Sequence, residues 1–140
     1  MASWYEKAVF YHIYPLGMLG APFANTEDAA ADCFPELDQW VPHMEALGCT
    51  ALYIGPLFES SSHGYDTRDY NKIDSRLGTE EDFVQVCRAF HAAGLKVMLD
   101  GVFNHVGRGF WAFRDVQEKK WDSPYKNWFH LSFDGDTEYH

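Results

Sequence analysis

The sequence lacks the features that mark membrane-spanning, secreted and nucleic-acid-binding proteins. Its apolar runs are all too short to cross a bilayer, and the opening MASWYEKAVF has neither the basic start nor the long apolar stretch of a secretory signal. Lys and Arg number 11 against 21 Asp and Glu, which gives a formal net charge of -10. Because such a surface repels phosphate backbones and anionic lipids, neither nucleic acid nor a membrane is expected as a partner.

Cysteine is scarce as well. The three cysteines, Cys33, Cys49 and Cys87, are widely spaced and include no CxxC pair. An odd number of cysteines without a pattern favours a reduced protein with no disulfide framework and no zinc motif. We therefore expect a cytoplasmic location.

Aromatic residues, in contrast, are abundant, with 5 Trp, 8 Tyr and 11 Phe in 140 residues. Aromatic rings with polar edges suit the faces of sugars, although they also simply fill hydrophobic cores. The apolar fraction of 46% and the chain length are sufficient for one domain with a real core.

Three apolar segments predict buried strands, at Val9–Tyr14, Thr50–Ile54 and Lys96–Leu99. Amphipathic segments separate them. Strands that are apolar on both faces and alternate with helices indicate βαβ units, so we predict an α/β fold with a parallel sheet.

Two helices are predicted between these strands. The first begins near Pro35 and stops at Gly48, but Pro42 inside it removes a hydrogen bond and predicts a kink or a later start. The second follows the long loop after the second strand, where TEED at Thr79 has the pattern of a capping box, and it ends at Gly94.

The pattern changes after Val106. GFWAFRDVQEKK predicts a short helix, Ser123 is a candidate N-cap for another, and Asp134-Gly135 is a candidate hairpin turn. We therefore divide the chain into residues 1–106 and a second, smaller unit beginning at residues 107–140.

Polar residues cluster where the second and third strands end. DGVFNHVG places Asp100, Asn104 and His105 directly after the third strand, and the loop after the second strand carries Tyr65 and Asp66. The carboxyl ends of parallel strands meet at one edge of a sheet, and their loops share one face. These side chains are therefore predicted to border one pocket.

Each of these residues also has a simpler explanation. Asp100 could bind loop amides or pair with Arg68, and Asn104 is a frequent turn former. His105 and Asp66 could be ordinary loop residues, and Tyr65 a packed aromatic. A mixture of Asp, Asn and His suits calcium better than zinc, but the ligands are too few to define a metal site.

Three segments, in order, resemble the α-amylase superfamily of glycoside hydrolases. AVFYHIYPLGM is similar to the family's first barrel strand, GYDTRDYNKIDSRLGT to the segment after its second strand, and DGVFNHV to the D-x-x-x-N-H region that ends its third. FWAFRDVQEKKWDSPYKNWFHL is similar to the domain that interrupts the barrel in cyclomaltodextrinase- and neopullulanase-type members. The resemblance implies the first three βα units of a TIM (β/α)8 barrel in residues 1–106 and the start of the inserted domain in residues 107–140.

The resemblance also implies roles for individual residues. Tyr65 would stack under the sugar at the cleavage subsite, and His105 would hydrogen-bond the primary hydroxyl of that sugar. Asp100 would orient neighbouring side chains, and Asp66 would help to shape the rim. Asn104 would hold its loop and, as in the calcium-binding members, supply a calcium ligand.

The implied reaction is the retaining cleavage of α-1,4 or α-1,6 glucosidic bonds in maltodextrins or cyclodextrins. Retaining glycosidases need two carboxylates about 5–5.5 Å apart. In the family these residues come from later barrel strands, so the nucleophile and the acid/base are expected beyond His140. We therefore predict an N-terminal part of a hydrolase that is inactive alone; the alternative is a non-catalytic carbohydrate-binding or interaction module on the same scaffold.

Overall fold

The computed structural model describes residues 3–26 and 32–133. The strands are Phe10–Ile13 (β1), Ala51–Ile54 (β2), Phe58–Ser60 (β3), Thr67–Ile73 (β4) and Lys96–Leu99 (β5). The α-helices are Pro15–Met18 (α1), Trp40–Ala46 (α2), Glu80–Ala92 (α3) and Trp111–Lys119 (α4). Four 3₁₀ turns, at Trp4–Lys7, Phe34–Gln39, Lys120–Asp122 and Lys126–Trp128, complete the described elements.

The three predicted strands form one parallel sheet in the order β1-β2-β5. Ile13, Ile54 and Leu99 are in register across it. The predicted α/β class and the three strand positions are therefore confirmed, to within one residue at each strand end.

The two faces of this sheet have different surroundings. One face packs on α2, α3 and the 3₁₀ turn before α2, and its core includes Ile13, Leu52, Ile54, Phe34, Met44, Val86 and Phe90. The opposite face carries His12 and Tyr53, with Phe10 and Met98 both more than a third exposed. The helices thus cover only one side of the sheet.

The capping box before α3 is confirmed. The Asp82 N–H donates to Thr79 Oγ1 over 3.2 Å, and the Thr79 N–H donates to Asp82 Oδ2 over 2.8 Å. Gly94 has a φ of 77°, which a glycine adopts without strain, and so permits the turn from α3 into β5.

Pro42 is accommodated by the later start predicted for its helix. A 3₁₀ turn occupies Phe34–Gln39, and α2 begins at Trp40. Pro42 therefore lies in the first turn of α2, where a backbone N–H has no partner within the helix to lose. Leu47 follows the end of α2 and is 57% exposed.

The prediction of a long loop up to Thr79 was wrong. Residues 58–73 contain an antiparallel pair, β3 and β4, in which Glu59 faces Asp69 and Ser60 faces Thr67. The pair carries polar side chains that bond to each other, such as Arg68 Nη2 to Glu59 Oε1 at 3.0 Å. Because these strands lack an apolar alternation, their sequence resembles a loop.

After Val106, the predicted short helix is present as α4, but the helix predicted to begin after Ser123 is not. A 3₁₀ turn with Tyr125 as its N-cap replaces the expected helix. Ser123 accepts from the Tyr125 N–H over 3.1 Å and donates to Asp115 Oδ1 over 2.6 Å. The predicted Asp134-Gly135 hairpin lies outside the described residues, and the unit boundary after residue 106 stays a prediction.

Cys33, Cys49 and Cys87 are free thiols. Burial raises the pKa of the Cys87 thiol, and burial followed by the nearby Glu36 charge raises that of Cys33. Within residues 3–26 and 32–133, no helix has the length and apolar character needed to cross a membrane. The cytoplasmic location stays a prediction.

Candidate functional site

Backbone hydrogen bonds align the carboxyl ends of the three parallel strands. The Gly55 N–H donates to Ile13 O over 2.7 Å, and the Asp100 N–H donates to Ile54 O over 3.0 Å. These bonds continue the sheet one residue beyond each strand, so Asp100 is held firmly at this edge.

Asp100 borders an aromatic pair on the open face of the sheet. Burial raises the pKa of the Tyr53 hydroxyl, and the neighbouring Asp100 carboxylate raises it further. The His12 ring stacks on Tyr53 with centroids 4.8 Å apart. A Cβ on Gly55 would lie 3.3 Å from His12 Nε2, so the glycine leaves room for that ring.

The alternative pairing of Asp100 with Arg68 is not what the structure shows. Arg68 forms its salt bridge with Glu59, on the β3–β4 pair.

The loop that carries Tyr65 is fixed by its own polar groups. The Ser62 N–H and Oγ both donate to the Asp66 carboxylate, over 3.1 and 2.7 Å, and the Tyr65 N–H donates to His63 Nδ1 over 3.2 Å. The Tyr14 hydroxyl, whose pKa is raised mainly by burial, donates to His63 O over 2.9 Å. Within this ordered loop the Tyr65 ring remains 41% exposed.

The loop after β5 contacts the Tyr65 loop directly. His105 Nε2 lies 3.0 Å from Tyr65 O. A carbonyl oxygen can only accept, so Nε2 is the protonated nitrogen in this bond and, in a neutral ring, Nδ1 remains an acceptor. The structure therefore brings Tyr65, Asp66 and His105 together, with Asp100 at the end of the adjoining strand.

Gly107 makes this contact close. Its N–H donates to Thr67 O over 2.8 Å, and a Cβ at this position would lie 2.3 Å from Asp66 O. The Tyr70 hydroxyl donates mainly to Val102 O, lies 3.2 Å from His105 O, and so supports the same loop. Glycine thus allows the two loops to pack backbone against backbone.

His105 and Asn104 help to line a cleft of about 370 Å³. Its lining combines imidazole, amide and guanidinium groups with aromatic rings: Asn104–Arg108, Phe113 and Trp128–Leu131. Of the site residues predicted from the sequence, His105 and Asn104 line this cleft, whereas Tyr65, Asp66 and Asp100 lie outside the lining.

The described residues contain no group of three or more His, Cys, Asp or Glu side chains placed to hold a metal ion. Asn104 is exposed. A calcium ion at Asn104 would therefore depend mainly on amide and main-chain oxygens, and this role stays a prediction.

Sequence reasoning missed His12, Tyr14 and Tyr53 as site residues. The sequence held a usable signal, because His12 lies in β1 and Tyr14 follows two residues later in extended backbone, so the two side chains share a face. A polar or aromatic residue at alternate positions near the end of an apolar strand is typical of a side chain that faces a site.

Comparison with known proteins gives the family. The family model of the alpha amylase catalytic domain matches residues 19–138. The chain is 40% identical to neopullulanase 2 of Thermoactinomyces vulgaris over 145 residues and 34% identical to a Bacillus cyclomaltodextrinase over 144 residues. Both matches cover 92% of this chain, with 25% of the neopullulanase and 26% of the cyclomaltodextrinase, so the chain spans about a quarter of the length of these relatives.

Solved structures agree with the sequence relatives. The cyclic α-maltosyl-(1→6)-maltose hydrolase of Arthrobacter globiformis in complex with maltose matches with a TM-score of 0.77 and 36% identity, over 97% of this chain and 35% of that one. The chain belongs to the α-amylase family of glycoside hydrolases and forms part of the TIM-barrel fold of its catalytic domain.

Proposed function

We propose that this chain supplies the sugar-binding part of a retaining glycoside hydrolase that cleaves α-1,4 or α-1,6 glucosidic bonds in maltodextrins or cyclodextrins. The observation that carries the proposal is the 3.0 Å contact between His105 Nε2 and Tyr65 O. It joins the imidazole to the backbone of a residue whose ring is 41% exposed, at the carboxyl edge of a parallel sheet, which is where TIM-barrel enzymes bind substrate.

Tyr65 and His105 would divide the recognition of one glucosyl unit. The exposed Tyr65 ring would stack against the apolar face of the sugar. His105 donates from Nε2 to Tyr65 O, so its Nδ1 would accept a hydrogen bond from the primary hydroxyl.

The two acids of the site would act by holding other groups. Asp66 accepts two hydrogen bonds from Ser62 and would stiffen the rim around Tyr65. Asp100 lies near Tyr53 at the end of β5 and would orient side chains that face the sugar. Neither assignment requires them to attack or protonate the substrate.

We assign the nucleophile and the acid/base to sequence beyond His140, and so propose that the 140-residue chain does not hydrolyse glucans alone. Retaining cleavage needs two carboxylates about 5–5.5 Å apart. Two findings support the proposal: Asp66 is engaged by Ser62, and the chain spans a quarter of its relatives' length. Residues 1–106 would be the barrel part and residues 107–140 the start of the inserted domain.

A second candidate is a non-catalytic glucan-binding module. The cleft of about 370 Å³ favours it, because polar groups and the rings of Phe113 and Trp128 line one hollow without any need for catalytic carboxylates. Both candidates predict glucan binding, and they differ in whether a longer form of the protein cleaves its ligand.

The binding experiment is a calorimetric titration of the purified chain with maltotriose, with Tyr65→Ala as the test variant. Loss of the stacking ring should weaken binding by about tenfold or more. Tyr5→Ala is the matched control, because Tyr5 is 58% exposed and packs on Trp4, away from the loops of the site.

Two results would contradict the proposal. One is the absence of maltotriose binding by the unaltered chain, and the other is equal binding by the Tyr65→Ala and Tyr5→Ala variants. Release of reducing sugar from maltodextrin or cyclodextrin by the pure chain would show that the assignment of the catalytic carboxylates is wrong.

A further inference from the structure

Arg76 is a charged side chain in the interior of the described part of the chain. It is 1% exposed and pairs with Asp74, which is fully buried. Arg76 Nε donates to Asp74 Oδ1 over 2.8 Å, and Nη2 donates to Asp74 Oδ2 over 2.7 Å. The guanidinium therefore binds the carboxylate in a bidentate way, with one N–H bond to each oxygen.

The remaining Arg76 donors hold segments that are distant in sequence. Nη1 donates to three main-chain carbonyls, at Pro22 over 2.9 Å, Phe23 over 2.8 Å and Ser62 over 2.6 Å. Nη2 also donates to Ser60 Oγ over 2.9 Å. One side chain thus ties the segment after α1 to β3 and to the start of the Tyr65 loop.

From Ser62 the hydrogen bonds lead to the candidate sugar site. Ser62, whose carbonyl is held by Arg76, donates twice to Asp66, the neighbour of Tyr65. The backbone of Asp66 is the surface against which Gly107 packs, and Gly107 belongs to the loop that carries His105. Both sugar-contacting side chains therefore depend on a loop whose base is bonded to Arg76.

A buried ion pair is a weak source of stability, because an apolar pair of similar volume often serves as well or better. The arrangement is more specific than stability requires. Only the planar fork of arginine can bind a carboxylate on one side while it donates to several carbonyls on another.

We propose that Arg76 is a positioning residue for glucan binding: through Ser62 and Asp66 it sets the place of Tyr65 and His105. The choice of a glucan as the ligand rests on the proposed function, whereas the positioning of the Tyr65 loop by Arg76 does not. Arg76 itself does not touch the sugar.

The test compares Arg76→Lys and Arg76→Met with the unaltered chain in maltotriose binding. Displacement of contact groups by about 1 Å can cost up to about a hundredfold, so we expect both variants to bind at least tenfold more weakly. Lysine keeps the charge but not the fork, so it should not restore binding. Equal binding by Arg76→Lys and the unaltered chain would overturn the proposal.

A matched control separates positioning from general loss of stability. Val86→Ala removes buried methyl groups from α3, a core position away from the Tyr65 loop. It should lower the melting temperature but leave the affinity of the folded protein unchanged. If Val86→Ala weakens binding as much as Arg76→Lys does, the positioning role is refuted.

A second variant covers the case in which the Arg76 variants do not fold. Ser62→Ala keeps the Arg76–Asp74 pair and removes the 2.7 Å bond from Ser62 Oγ to Asp66. We expect it to weaken maltotriose binding several-fold, and unchanged binding would count against the proposal.

A readout without ligand distinguishes this inference from the proposed function. The ¹⁵N shifts of the His105 ring report whether the proton resides on Nε2, as the bond to Tyr65 O requires. Arg76→Lys and Ser62→Ala should reduce the Nε2–H form, and Val86→Ala should not. If the unaltered chain binds no maltotriose, the proposed function fails while these shifts still decide whether Arg76 positions the loop.

Discussion

Asp74→Asn is expected to destabilise the protein strongly, because it removes one charge of a buried pair and keeps the shape. Asp74 Oδ1 accepts from Arg76 N and Nε and lies 3.4 Å from Asn25 Nδ2, and Oδ2 accepts from Ser60 N, Ser60 Oγ and Arg76 Nη2. Each carboxylate oxygen thus faces three donor groups. Whichever way an asparagine amide is turned, its NH₂ would point at donors.

The loss of unfolding free energy in Asp74→Asn follows from this geometry. Breaking a buried pair by removing one partner costs about 3–5 kcal/mol, because the remaining charge stays buried without compensation. Native domains have an unfolding free energy of about 5–15 kcal/mol, so Asp74→Asn would remove a large share of it.

The assay is urea unfolding at low micromolar concentration, followed by tryptophan fluorescence and extrapolated linearly to water. The control is Asp69→Asn, because Asp69 is only partly buried and accepts from the Asn71 N–H two residues along the same strand, β4. We expect the control to cost less than about 1 kcal/mol. An Asp74→Asn cost no larger than that of Asp69→Asn would refute the reasoning.

Three further predictions follow from single contacts. Thr79→Ala should lower the unfolding free energy by about 1 kcal/mol in urea titrations. The Thr79 hydrogen bonds hold the pKa of Asp82 below its ordinary value, so their contribution is present above the unfolded-state pKa and is lost as the pH falls through the lower folded-state pKa. The difference between Thr79→Ala and the unaltered chain should therefore narrow in acid, and a constant difference would contradict this. Gly107→Ala should lower the melting temperature and the Nε2–H signal of the His105 ring, since its Cβ would lie 2.3 Å from Asp66 O; unchanged values would show that the loops separate without cost. The open sheet face, on which Phe10 is 39% exposed, is expected to promote self-association through its apolar side chains. Phe10→Lys should therefore reduce self-association in sedimentation experiments, and an unchanged sedimentation profile would contradict this expectation.

Local sequence patterns predicted much of the fold. Lys96–Leu99 was predicted with the bounds that the structure shows, and the capping box at Thr79 places the start of α3. Such elements are predictable because residues close in sequence supply their signals: apolar runs, a capping hydroxyl and a glycine with positive φ.

The candidate site was predictable in part, for the same reason. Parallel strands bring their carboxyl ends to one edge, which placed Asp100 and His105 near the loop that carries Tyr65. His12 and Tyr53 were missed because their importance depends on which face of the sheet the helices leave open.

The sequence by itself determined the three parallel strands, the capping box of α3, the family and the clustering of polar residues at the strand ends, because each has a local pattern. Tertiary structure decided that β3 and β4 pair, that Arg68 binds Glu59 rather than Asp100, and that Arg76 connects three segments. These outcomes depend on which polar groups meet after the chain has folded, often dozens of residues apart in sequence. Hydrogen-bond partners at that separation leave no periodic pattern in the sequence, so only the folded chain reveals them.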